Sequence, residues 1–157
     1  MYCEKIVRFV ICGFIFVAVT VAFIGCTEST EEKQVVKTAL RFADYLFNYE
    51  LKEAASLATD DSQGWISFLA SNVDEATINL IRSQQEDATV SVDDVTISTS
   101  TIATATITVS NFVWNSGSEG EPSVEKEARF TLHLRKEKGE WRVRMDSLPQ
   151  NEKQSHD

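Results

Sequence analysis

The sequence predicts an α+β fold in which N-terminal helices pack on one face of a curved four-stranded antiparallel sheet, a cone-like arrangement preceded by a hydrophobic signal or anchor segment. Three observations lead there. From about residue 30 to 86 apolar residues recur with the 3.6-residue period of helices, and from 88 to 148 the chain is rich in Val, Ile and Thr and alternates with period two. Helices first and strands afterwards, with short connections, describe helices laid on an antiparallel sheet. No internal repeat and no Pro- or Gly-rich linker divides the stretch, so it reads as one domain over 30–148. The 157 residues are 43% hydrophobic and 25% charged, which excludes a disordered or collagen-like chain.

The first element stands apart from the domain. Lys5 and Arg8 precede an uncharged apolar run from Phe9 to Gly25, followed by Cys26 and polar residues, the layout of an export signal over 1–25. The run is slightly longer than a usual signal core of ~7–15 residues and shorter than the ~20 that cross a bilayer, so its length leaves both readings open. Phe23-Ile24-Gly25-Cys26 resembles a bacterial lipobox, with Phe23 and Ile24 departing from its commonest residues. That resemblance implies cleavage before Cys26 and its lipidation with fatty acids such as palmitate, leaving 26–29 as a short tether. The alternatives are an uncleaved transmembrane helix and ordinary cleavage. All three cysteines, Cys3, Cys12 and Cys26, fall within the first 26 residues, so the domain has no disulfide and no thiolate ligand.

Each element of the domain has its own signal. Ser29 with Glu32 is a capping box for a helix from about Thr30 to Asn48, on which Val35, Val36, Ala39, Leu40, Phe42, Ala43, Leu46, Phe47 and Tyr49 fill one half of the wheel. Leu51, Ala54, Ala55, Leu57 and Ala58 predict a short second helix, and Trp65, Phe68 and Leu69 a third. Asn72 with Glu75 predicts a cap for a fourth over about Val73–Glu86, facing inward through Val73, Ala76, Leu80 and Ile81. In the first strand Val90 and Val92 share one parity and Val95 and Ile97 the other, which predicts a bulge at Asp93-Asp94. The second strand, about Thr101–Trp114, turns Ala103, Ala105, Ile107 and Val109 inward and Thr104, Thr106 and Thr108 outward. A mobile loop is expected from Asn115 to Ser123. The third strand buries Ala128, Phe130, Leu132 and Leu134; a Lys138-Gly139 turn leads to a fourth that buries Trp141, Val143 and Met145. The tail, 149–157, is expected to be disordered.

The long first helix, the short second one opening Glu50-Leu51-Lys52-Glu53-Ala54-Ala55, and strands closing on Gly139-Glu140-Trp141-Arg142-Val143 together resemble small bacterial lipoproteins with a lumazine-binding-like, SnoaL-like domain. These belong to the nuclear transport factor 2 superfamily, a cystatin-like cone fold. The resemblance spans about residues 30–148 and implies a cone that houses acid and base groups in some members and an outer sheet face that forms dimers in others.

Charge and chemistry narrow the function. The chain carries 15 basic and 24 acidic residues, a net of −9; setting aside Lys5, Arg8 and Glu4 leaves 13 and 23, a net of −10 for the exported part. Nucleic acid is therefore not an expected partner, because phosphate binding rests on clustered basic charge. Past the leader the histidines are His133 and the tail residue His156, no His, Cys, Asp or Glu group has metal-ligand spacing, and no acid lies inward on the last three strands before Lys136. No catalytic residue, metal or cofactor is assigned. Phe42, Leu46, Tyr49, Phe130, Leu132 and Trp141 are the residues placed to line a pocket if the cone is open. Above background stands a stripe on the outward parity of the last two strands, Arg129, Arg135, Arg142 and Arg144, with His133 among them. It is either paired across strands with Glu125, Glu127 and Glu140 or a surface for a protein partner, a second copy or anionic headgroups. The expectation is a non-catalytic binding module in the cell envelope, held by Cys26 on the outer membrane, with the side it faces left open. A small-molecule carrier or enzyme using the cone is the alternative.

Overall fold

A computed structural model of the chain describes residues 29–115 and 121–151. The hydrophobic segment, Cys26, most of the loop expected after Asn115 and the end of the tail lie outside them. The order is α1 (Thr30–Phe47), α2 (Leu51–Leu57), a 3-10 turn (Asp60–Ser62), α3 (Gln63–Ser71), α4 (Glu75–Ser83), β1 (Thr89–Thr99), β2 (Ile102–Trp114), β3 (Ser123–Glu137) and β4 (Glu140–Arg144). The four strands form one open antiparallel sheet in the order β1-β2-β3-β4, so the fold is α+β with the predicted meander.

α1 starts as its capping signal requires, the Ser29 hydroxyl accepting the Glu32 N–H at 3.1 Å. Val35, Ala39, Phe42, Ala43, Leu46 and Phe47 are buried against all four strands and α2, as the width of the apolar arc demands. Leu40, placed in that arc by the wheel, is instead 37% exposed. At the far end Asn48 ties α1 to the start of β1. Its Nδ2 donates to the Ala88 carbonyl at 3.2 Å and its Oδ1 accepts the Ala88 N–H at 2.9 Å.

The third and fourth helices correct the sequence reading. α3 buries Ile66 and Leu69, leaving Trp65 half-buried and Phe68 43% exposed. α4 is shorter than expected and is capped by Asp74, whose Oδ1 accepts both the Thr77 N–H (2.8 Å) and the Thr77 hydroxyl (2.7 Å). A carboxylate one residue before the helix outcompetes Asn72, which closes α3 instead. α4 buries Thr77, while Ala76 is exposed and Leu80 and Ile81 are half-buried.

In the sheet, register shifts between Val92 and Asp94, the predicted bulge, and again between Ile97 and Thr99, where the Thr99 hydroxyl takes the Thr101 N–H at 3.2 Å. Asn111 lies in the left-handed region (φ 56), which asparagine tolerates, and brings Phe112 into the core after Ile107 and Val109. Lys138 and Gly139 have φ 52 and 87, as a two-residue type I′ hairpin turn demands. Ala58 bridges Val143 and the Thr59 N–H donates to the Val143 carbonyl at 2.9 Å, so the α2 exit covers the β4 edge. Leu148 packs against the core beyond β4, which extends the packed chain to the edge of the expected tail.

Candidate functional site

Two places were open from sequence, the interior and the outer sheet face. Among the described residues the interior is closely packed. Phe42, Leu46, Phe130, Leu132 and Trp141 are each at most 4% exposed. Phe130 packs against Phe47 (centroids 4.9 Å) and Trp114 (5.7 Å) with tilted rings and meets Phe112 (5.8 Å) edge to face, a cluster assembled from α1, β2 and β3. Among the described residues a cavity of about 20 Å³ is bordered by Leu46, Tyr49, Leu69, Trp114 and Leu148. Of the residues assigned to a pocket, Leu46 and Tyr49 border it, Leu132 and Trp141 each border an open surface groove, and Phe42 and Phe130 serve as packing. The Tyr49 hydroxyl donates to the Val113 carbonyl at 3.2 Å, and burial, with the Asp74 charge adding to it, pushes its pKa up to about 12.

The outer face follows from register. Thr104 faces His133, which faces Arg144; Thr106 faces Thr131; Thr108 faces Arg129; Ile102 faces Arg135, which faces Arg142. Thr104, Thr106 and Thr108 are half-buried, and Arg129, Thr131, His133 and Arg144 are exposed. His133 and Arg144 also line an open groove of about 360 Å³ closed on one side by Asp146–Gln150.

The structure places each arginine beside an acid, but mostly not the acids expected. Arg129 Nε lies 3.4 Å from Asp93 at the bulge, whose Oδ2 also accepts the Thr108 hydroxyl. Arg144 pairs with Asp146 at 2.9 Å, and Arg142 with Glu140 at 3.3 Å. Arg142 also donates to the Ser56 carbonyl at 2.8 Å, and Arg135 bridges Glu137 and Asp61, the latter at 3.1 Å. The Thr59 hydroxyl and Arg135 hold the Asp61 carboxyl below its usual range. Arg135 and Arg142 thus clamp the α2 exit to the sheet, and Arg129 and Arg144 remain as the more exposed pair, with 57% and 45% of their side chains open. The basic stripe splits because sequence parity assigns a face but not the loops that fold over its edge.

One cluster escaped the sequence reading. Glu31, in the first turn of α1, receives Lys136 Nζ on both oxygens at 2.8 Å and the Trp141 indole N–H at 2.8 Å. The Lys136 bond, then that of Trp141, lowers its pKa. The available signal was Trp141 itself, an inward indole whose N–H needs an acceptor. Among the described residues no group of three or more His, Cys, Asp or Glu is placed to hold a metal, and no helix is long and apolar enough to cross a membrane. In comparisons with known proteins, no family model and no curated sequence matches the chain.

Proposed function

We propose that this chain is a lipid-anchored protein of the bacterial cell envelope, held through Cys26, whose cone-like domain binds a protein partner through the outer face of its sheet without catalysis. The observation that carries the binding reading is volume. Small-molecule sites take ~300 Å³ or more, whereas among the described residues the pocket beside Leu46 and Tyr49 holds about 20 Å³ and the spaces of about 360 and 340 Å³ are open grooves at the surface. The outer face, by contrast, presents a flat array of threonines flanked by the exposed Arg129, His133 and Arg144. Because Arg129 and Arg144 are already neutralised, the surface is polar and mixed in charge, suited to a protein rather than to a polyanion. The α+β architecture is compatible with the lumazine-binding-like, SnoaL-like resemblance, and the lipobox-like Phe23-Ile24-Gly25-Cys26 supports the anchor.

Two measurements test the proposal. Metabolic labelling with a fatty acid is expected to mark the parent chain and not Cys26→Ala; equal labelling of both removes the lipid anchor. Cross-linking in intact cells is expected to give a discrete adduct that disappears in the Arg129→Glu, Arg144→Glu double variant while the melting temperature barely moves. An adduct that survives the double reversal argues against the outer face.

A further inference from the structure

The polar side of α1 carries Lys33, Lys37 and Arg41 at i, i+4 and i+8, so they form one stripe, and all three are exposed. Among the described residues none of the three takes part in an ion pair within 4 Å; Arg41 donates to the Tyr45 hydroxyl at 3.3 Å and lies over its ring. Asp44 is the acid on this arc, and Glu31 at its margin is neutralised by Lys136. In an exported part of net charge −10 the face is locally cationic. Leu40, 37% exposed, lies beside the stripe, and Gln34, Lys37 and Arg41 form one wall of an open groove of about 340 Å³. The opposite wall includes Glu140, which is engaged by Arg142.

We infer that this face of α1 lies flat on an anionic phospholipid surface and sets the orientation of the domain on its membrane. The inference rests on the anchor reading above and adds a surface to it. Only Thr27, Glu28 and Ser29 separate Cys26 from α1, a reach of about 10 Å at ~3.3–3.6 Å per residue. That reach is close to the Debye length of ~8 Å at physiological salt, so charges on α1 feel the headgroups. It is no longer than a helix is thick, ~10–12 Å, so the tether cannot carry its end around both the helix and the sheet to lay the outer face on the bilayer. Standing α1 upright would press Glu28 and Glu32 against anionic headgroups. Laying it down presents Lys33, Lys37 and Arg41, with Leu40 to enter the headgroup boundary, the arrangement of an interfacial helix. The outer sheet face then points away from the membrane, where a partner reaches it.

The test places the full anchored chain in vesicles of phosphatidylcholine with or without phosphatidylglycerol, each carrying a headgroup nitroxide lipid. A fluorophore is attached at Gln34→Cys on α1 or at Thr106→Cys on the outer face, with labelling of the unsubstituted chain subtracted. In phosphatidylglycerol vesicles quenching is expected to be several-fold greater at position 34 than at 106. The difference should collapse in pure phosphatidylcholine, in about 1 M salt, where the Debye length is ~3 Å, and in the Lys33→Glu, Lys37→Glu, Arg41→Glu variant, whose unchanged circular dichroism certifies folding. Equal quenching at both positions on floating vesicles, or a difference untouched by salt and charge reversal, overturns the orientation while leaving the anchor standing. A chain that does not float with the vesicles overturns the anchor and the orientation together.

Discussion

Replacing Phe130 by alanine removes a ring that is 1% exposed and that touches Phe47, Trp114 and Phe112 at centroid distances of 4.9, 5.7 and 5.8 Å. Its neighbours come from α1 and β2, so no single backbone movement closes the gap. Phe→Ala changes in such settings cost about 3–5 kcal/mol, and three lost ring contacts at ~0.5–1.5 kcal/mol each argue for the upper half of that range. At ~3–5 °C per kcal/mol, between the values for smaller and larger domains, a loss near 4 kcal/mol lowers the melting temperature by roughly 12–20 °C. The assay is urea unfolding followed by tryptophan emission, which reads the site directly because Trp114 borders Phe130. Arg129→Ala, a change on the exposed surface, should stay within about 0.5 kcal/mol and serves as the reference. A cost below about 1 kcal/mol for Phe130→Ala, with the slope against urea unchanged, would mean that the ring lines an open space, and the argument from a filled interior would collapse.

Two pH dependences follow from the buried and bridged groups. Glu31 has a lowered pKa in the fold, so its stabilising contribution is complete above the ordinary carboxylate range near ~4.3 and is lost as pH falls through its lower folded value. Glu31→Gln should flatten that part of the acid limb of an unfolding profile and leave the neutral-to-alkaline slope alone; an unchanged acid limb counts against the bridge. Tyr49 runs the other way. Its pKa is raised to about 12, so stability is complete below the unfolded value near ~10 and declines as pH rises through 12. Tyr49→Phe should remove that alkaline decline and, by losing the bond to the Val113 carbonyl, cost about 0.5–1.5 kcal/mol at neutral pH. Persistence of the decline in the phenylalanine variant would assign it to another group.

Element type was legible because each signal was local. Ser29 reads as a cap because its hydroxyl meets an N–H three residues on, and the Asp93 bulge reads from the change of parity between Val92 and Val95. The same locality explains the misses. Choosing between Asn72 and Asp74 as the α4 cap depends on where α3 stops, and Trp65, Phe68 and Ile66 share an apolar stretch that does not say which side meets the core. The helical wheel put Phe42 inside, and strand parity put Phe130, Leu132 and Trp141 inside and Arg129, His133 and Arg144 outside.

What the sequence by itself determined is the α+β architecture, the meander and the identity of the core strands, because periodicities of 3.6 and 2 are properties of the backbone and need no partner to be read. What only the tertiary structure decided is which charges and aromatics meet. Asp61 lies 74 residues from Arg135, Glu31 lies 110 from Trp141, and Asn48 lies 40 from Ala88, separations that no pattern along the chain encodes. Those pairings split the arginine stripe and anchor α1 to the β3–β4 hairpin. They also leave Lys33, Lys37 and Arg41, on the first described helix, as exposed cations outside every ion pair described.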